Sequence, residues 1–343
     1  MSEVLLPIAA TPITSFLYKA FALVVLLNYP ECFAWFYSNY IQLEYYKDRK
    51  GETLSFVGAW FTDIPWLQFQ YMKKEEFVTG TGDLNQTIRD IVEDGWYFYS
   101  WFDEFFVPQR SKFNKVHSSQ DFLLFGYHDH AENYSILGYS DRGIIEITKI
   151  SYFNFLKAYE SAYENNYEDP PCVILFKKRP DFDFKFEMKY LYEMLLDYAQ
   201  GRDTGKRIGL KQRDTLQNRI FGLSAYDCLS EYFQLISDKQ VNHHRALYRS
   251  ARSLHVLWEH KKCMLLRLEY LHQQGLIDRF DYFYSFYQKI ENAILSLRNT
   301  QLNYSLREER NLLEKIMESL QEIKKQESDV LEELLEMIQK KLP

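Results

Sequence analysis

Apolar and polar positions change period along the chain, and each period assigns an element. Residues 12–28 are mostly apolar and run up to Pro30, which predicts a buried helix with a proline stop. Residues 32–47, CFAWFYSNYIQLEYYK, predict a second, largely buried helix, ended by the polar run KDRKGE around Gly51. Residues 53–60 read as a strand and 82–95 as a helix. Two short apolar runs follow, FLLFGY from Phe122 and YSILGY from Tyr134, joined by the polar HDHAEN. That arrangement predicts a hairpin, with His128 and His130 at its turn. Ile144 to Lys149 and Cys172 to Lys178 predict further strands, and Ser151 caps a helix that runs to about Asn165. In FDFKFEM, Phe182, Phe184, Phe186 and Met188 alternate with polar residues, the period of a half-buried strand.

Beyond Tyr190 the period becomes helical. A polar stretch, GRDTGKRIGLKQRD at 201–214, marks the expected domain boundary. Residues 215–237, 241–274 and 277–301 predict long helices. In the tail, Leu302, Leu306, Leu313, Ile316, Leu320, Ile323, Val330, Leu334 and Met337 recur at alternating spacings of three and four, and Glu309 and Glu327 interrupt the stripe. Such a stripe is the seam of a coiled coil or a bundle, and makes the tail a candidate homodimer interface. The expected fold class is α+β with an antiparallel sheet over 1–200, then an all-α domain over 215–343 with a coiled-coil-like C-terminal helix at 302–342.

Composition narrows the function. Of 343 residues, 46% are hydrophobic and 26% charged, as in an ordinary globular protein. Aromatics stand out at 17%, with 27 Tyr and 26 Phe, enough to fill a core or line an apolar groove. A net charge of -7 argues against nucleic acid as a partner. Phe21 to Leu27 is too short to span a bilayer, and Glu3 precedes it where a signal peptide would carry basic residues, so neither membrane insertion nor export is expected. Cys32, Cys172, Cys228 and Cys263 lie far apart without a CxxC pair, which fits a reducing, cytoplasmic setting.

Glu31-Cys32 directly after Pro30, the hairpin FGYHD…YSILGY, and the helical run YDCLSEYF…LLRLEYL at 226–271 together carry a resemblance. The chain resembles the butirosin biosynthesis protein H family of natural-product proteins, whose cysteine-peptidase-like domain is similar to the papain-like peptidases that cleave double-glycine leaders. The resemblance implies a papain-like front domain and an acyltransferase of antibiotic biosynthesis. In such a protein a cysteine thiol attacks the acyl thioester of a carrier protein and passes the acyl group to an amine. A leader-cleaving cysteine peptidase is the hydrolytic variant, with a peptide as substrate. A non-catalytic interaction protein of the same kind of pathway is the third reading.

That chemistry needs a thiolate, an imidazole to activate it and a carboxylate or amide to orient the imidazole. Cys32 takes the thiol position. Where the resemblance implies the histidine, Gln120 stands, and His117 lies three residues before it. His117 is therefore the candidate base, and Asp141, in GYSDRG after the second hairpin strand, its candidate orienter. The glutamine that precedes the cysteine in the peptidases has no counterpart, which leaves Asn28 or Gln120 for an oxyanion or alternative polar site.

Other chemistries find less purchase. His255 and His260 point about 140° apart on a 3.6-residue helix, so they do not chelate one ion, and no metal site is expected. No glycine-rich phosphate loop occurs, and no cofactor is expected. Asp103-Glu104 lie among aromatics in YSWFDEFF, where a structural loop is the simplest reading. Two basic runs, Lys177-Lys178-Arg179 and Lys206, Arg207, Lys211 and Arg213, read as solvated faces or as rim charges for an acidic carrier protein.

Overall fold

A computed structural model describes residues 3–47, 54–58, 60–79, 82–164, 172–205, 207–209 and 218–342. Residues 48–52 of the run KDRKGE, Asn165, Lys206, Lys211 and Arg213 lie outside the described residues. The elements begin with β1 (Glu3–Leu5), α1 (Leu17–Leu26), α2 (Phe33–Ser38), β2 (Leu43–Tyr46), β3 (Leu54–Phe56), β4 (Leu67–Lys73) and α3 (Lys74–Thr79). Then come α4 (Leu84–Glu93), β5 (Tyr97–Asp103), β6 (Ser119–His128), β7 (Asn133–Tyr139), β8 (Ile145–Ser151), α5 (Tyr152–Glu164) and β9 (Cys172–Lys178). The rear holds α6 (Met188–Gln200), β10 (Arg219–Phe221), α7 (Ala225–Ser237), α8 (His243–Gln273), α9 (Phe280–Arg307) and α10 (Arg310–Gln339). The fold is thus mixed α+β, with an antiparallel sheet and a helical C-terminal region.

Contacts divide the chain into two units, and each is interrupted in sequence. A sheet unit holds residues 1–30 and 60–183, and a helical unit holds 31–59 and 184–343. The division differs from the expected 1–200 and 215–343. The segment 31–59 belongs with the rear because β2 pairs antiparallel with both β3 and the distant β10. Composition along the chain does not register such a non-local pairing.

The sheet unit is built on a seven-stranded antiparallel sheet, ordered β4-β9-β5-β6-β7-β8, with β1 added along β6. The hairpin of β6 and β7 is the one its two apolar runs predict, although β6 begins at Ser119, ahead of its apolar run, and its register with β7 shifts between Leu124 and Gly126. Gly126 has a steric reason to be glycine: a Cβ there would lie 2.6 Å from the Val4 carbonyl of β1. One sheet face presents Phe98, Phe102, Phe122, Leu124, Ile136 and Val173 to Ile88 and Val92 of α4 and to Phe155 and Tyr159 of α5. On the opposite face Tyr99 meets Phe21 of α1 and Phe61 at ring distances of 5.9 and 5.0 Å. Burying one such ring contributes about 1.5–3 kcal/mol, so the aromatic surplus is spent first on packing. The Ser151 hydroxyl accepts from the Asn154 amide at 3.2 Å and caps α5 as expected.

The helical unit departs from expectation at four places. In the first, Arg219–Phe221 of the helix expected over 215–237 form β10, and α7 begins only at Ala225. Residues 32–47 are not one helix: α2 stops at Ser38, Tyr40 takes a left-handed φ of 47°, and the chain turns into β2. Arg267 of α8 holds that turn, donating to the carbonyls of Tyr37 at 2.7 Å and Asn39 at 2.8 Å. Burial lowers the Arg267 guanidinium to about 10. FDFKFEM forms no strand; its backbone is irregular, with Phe184 packed on Tyr190 and Phe186 on Tyr270. The tail stripe is broken at Glu308, which has a left-handed φ of 55°, so Leu302 and Leu306 belong to α9 and the rest to α10. Within α10 the stripe residues Leu313, Ile316, Leu320, Ile323, Val330 and Leu334 are buried in the unit's own bundle, against α6, α7 and α9. Among the described residues, no helix is long and apolar enough to cross a membrane.

Candidate functional site

Asp103 ends β5 and pairs across the sheet with Ser119, the first residue of β6. The intervening loop closes on itself where the Glu104 amide donates to the Ser118 carbonyl at 2.9 Å. Inside that closure Asp103, 1% exposed, accepts four hydrogen bonds. The amides of Phe105 and Ser118 reach its Oδ1, both at 3.0 Å. The Oδ2 atom meets His117 Nδ1 at 2.6 Å and the Ser161 hydroxyl of α5 at 2.7 Å. Burial pushes the Asp103 carboxyl up, but the hydrogen bonds from His117, Phe105, Ser161 and Ser118 outweigh it and hold it below the usual carboxylate range. The His117 side chain is 49% exposed, and its ring stacks on Phe105 at 4.2 Å and 12°.

His117 is therefore held by Asp103, and Asp141 is not its partner. The Asp141 carboxylate accepts instead from the Ser111 amide at 2.7 Å and the Ser111 hydroxyl at 2.9 Å, tying the β7–β8 turn to the loop. Gln120 sits in β6 opposite Phe102. Asn28 spends its amide protons on the carbonyls of Val24, Val25 and Pro7 at 2.7, 3.0 and 3.1 Å, closing the end of α1. His128 lies at a strand end, with Nδ1 3.0 Å from Glu3 and Nε2 3.3 Å from the Ser135 hydroxyl. All four of these residues belong to the sheet unit, as His117 does.

Cys32 belongs to the helical unit. It closes the turn Pro30–Cys32, immediately precedes α2 and is 0% exposed. All four cysteines are buried thiols. Burial pushes Cys263 up to about 12 and raises Cys228 as well, which makes both poor nucleophiles.

A second polar cluster fills the interior of the helical unit. Lys261 of α8 and Glu327 of α10 pair at 2.5 Å with both side chains 0% exposed. The Lys261 amine also donates to the Tyr198 hydroxyl and to His260 Nδ1, each at 3.0 Å. Tyr198 and Tyr226 donate to the two Glu327 oxygens at 3.2 and 2.7 Å. His260 Nε2 lies 2.7 Å from the Ile41 carbonyl, so it carries the proton and Nδ1 accepts from Lys261. Burial, reinforced by Lys261, holds that imidazole neutral, far below its usual range. The cluster is closed to solvent and has the character of a packing device. Glu327 was visible in the sequence as an interruption of the tail stripe; its cation, inside the polar run Glu259-His260-Lys261-Lys262, carried no periodic signal.

The basic runs have local partners. Lys177 lies 4.4 Å from the centre of the Trp96 ring, Lys178 lies over Tyr29 and Trp66, and Arg179 pairs with Asp181 at 3.1 Å. Arg207 bonds Glu193 at 2.6 Å and Asp197 at 3.0 Å. Among the described residues, no group of three or more His, Cys, Asp or Glu side chains is placed to hold a metal ion.

No family model matches the chain, and no curated protein matches it.

Proposed function

We propose that the chain is a papain-like acyl-transfer protein of natural-product biosynthesis, with Cys32 as its thiol and His117 as its base. One observation carries this reading: a half-exposed imidazole is fixed by a buried, ionised carboxylate, His117 to Asp103 at 2.6 Å. Such a pair orients a ring for proton transfer and stabilises the imidazolium that forms. In the first step the Cys32 thiol gives its proton to a base, and the thiolate attacks the acyl carbonyl of a carrier-protein thioester. The carrier thiolate leaves with that proton. In the second step an amine attacks the acyl-cysteine, the base takes the amine's proton, and Cys32 departs as a thiolate that the protonated base reprotonates. The net change is thioester plus amine to amide plus carrier thiol.

Incubation with acyl-loaded carrier protein, read by intact mass, tests the assignment. An adduct one acyl group heavier that disappears in Cys32→Ala supports it; a wild-type chain that never gains the mass refutes it.

The full burial of Cys32 favours a second reading, a non-catalytic interaction protein that keeps the architecture without the thiol chemistry. On that reading native Cys32 resists iodoacetamide as completely as Cys263 does, and the carrier protein binds without losing its acyl group.

A further inference from the structure

The apolar stripe of the tail crosses a break in the backbone. Leu302 and Leu306 of α9 keep the alternating spacing of three and four through Glu309 into Leu313, Ile316 and the rest of α10. Yet α9 buries a different face, running from Phe283 through Ile290 and Leu297 to Tyr304. Leu302 and Leu306 each lie two residues from Tyr304, about 160° around the helix from it. They are left 43% and 84% exposed. The stripe thus has the period of one continuous helix, cut by the turn between α9 and α10.

That turn is two residues long and strained. Glu308 has φ 55° and ψ 28°, a left-handed conformation that helix ends ordinarily give to glycine. Its amide donates to the Tyr304 carbonyl at 2.8 Å, and its carboxylate lies 3.2 Å from His243 Nε2 on exposed surface. Glu309 is extended, and its side chain does not cap α10. Short strained hinges between packed helices are places where identical chains exchange elements.

We propose that α10 exchanges between two copies of this chain, with Glu308 and Glu309 as the hinge. Straightened there, α9 and α10 form one helix from Phe280 to Gln339, and α10 is carried away from its own α6, α7 and α9. A second copy supplies the same groove. The charges match because the groove is the chain's own: Glu327 of one copy meets Lys261 of the other, and Lys324 meets Asp227. A foreign helix would have to bring a carboxylate to that buried amine. Reciprocal exchange closes a two-fold pair, relieves Glu308 and covers Leu302 and Leu306 where the joined helices meet. The exchange does not depend on the acyl-transfer reading.

Light scattering of the full chain over a range of concentrations reads the dimer, and carbodiimide linking reads the exchange. Unlabelled and nitrogen-15 chains are mixed, the dimer fraction is isolated, and Lys324 is joined to the Asp227 carboxylate, 2.6 Å away, before digestion. In exchanged dimers the linked peptides combine one light and one heavy half. In a side-by-side dimer both halves carry the same label. Glu308→Gly should weaken the dimer about tenfold, because glycine removes the strain of the closed turn. Glu308→Val should strengthen it, since a β-branched residue resists that backbone. Both variants lose the His243 contact, so that contact does not separate them. Leu306→Glu should weaken the dimer and leave the unfolding of the monomer unchanged. A wild type and a Glu308→Val variant that both stay monomeric at the highest soluble concentration overturn the proposal, and so does a dimer whose linked peptides never mix labels.

Discussion

The two units place a polar pair against an aromatic core in opposite ways. In the sheet unit, Asp103 is buried but its partner His117 is half exposed, so one member of the pair exchanges protons with solvent. In the helical unit, neither Lys261 nor Glu327 reaches solvent, and both are wrapped in tyrosine hydroxyls and a neutral histidine. An open pair tunes a protonation state. A sealed pair specifies packing, since a slipped helix would leave a bare charge in the core.

The largest effect should come from breaking the sealed pair. Lys261→Met or Glu327→Gln alone should cost about 3–5 kcal/mol in denaturant unfolding, because each leaves its partner uncompensated. Combining Lys261→Met with Glu327→Gln removes both charges while the glutamine oxygen still accepts from tyrosine. The double variant should therefore lose less than the two single losses added together, and strict additivity would show that the charges do not interact.

Opening the sheet unit's pair should cost less. Asp103→Ala should lose about 1–3 kcal/mol near neutral pH. The sign of the pH dependence follows from the depressed carboxyl. The folded chain binds fewer protons at Asp103 than the unfolded chain, so this stability is present above the ordinary carboxylate pKa of ~3.9 and is lost as pH falls through the lower folded value. Acid titrations of stability should flatten in Asp103→Asn, and an unchanged acid limb would show that Asp103 contributes no acid dependence.

A lysine in the sheet unit runs the other way. Lys74 lies over the Tyr159 ring at 4.1 Å and donates to the Tyr159 carbonyl, and burial lowers its amine to about 8 against the opposing pull of Glu160. Between pH 8 and the ordinary lysine value of ~10.4 the unfolded chain binds more protons, so stability contributed at this site rises with pH, by at most about 1.4 kcal/mol per pH unit. The difference between wild type and Lys74→Met, measured at pH 8 and pH 9, should carry that slope. The smallest effect belongs to Asp141→Asn, which loosens an exposed tie to Ser111 and should cost under about 1 kcal/mol. Denaturant unfolding checks it, and a larger loss would show that the tie to Ser111 holds more than a turn.

Much of the fold is legible where a local period controls it. Cys172–Lys178 is a strand at the residues its apolar run marks, and the FGYHD…YSILGY segment is a hairpin. Legibility ends where a distant partner decides. Residues 43–46 look helical beside their neighbours, yet they pair with β3 and β10. Phe182, Phe184 and Phe186 alternate as strand residues do, but rings anchored elsewhere satisfy them without a ladder: Trp66 for Phe182, Tyr190 and Tyr270 for the others. The tail stripe gives its own face correctly but hides the left-handed break at Glu308. The site follows the same rule. His117 is marked by residue type near a hairpin, whereas Asp103 looks like one of many acids among aromatics until β5 and β6 bring it beside the ring.

Lys261 and its counter-charge are 66 residues apart. A ribosome adding roughly 5–20 residues per second makes α8 several seconds before the codon for Glu327 is read. During that interval the helical unit has a cation bound for its centre and no carboxylate to receive it there. Its interior is thus completed by a helix made well after α8, and a nascent chain halted before residue 327 should hold α8 undocked, open to digestion by a protease that the full chain resists.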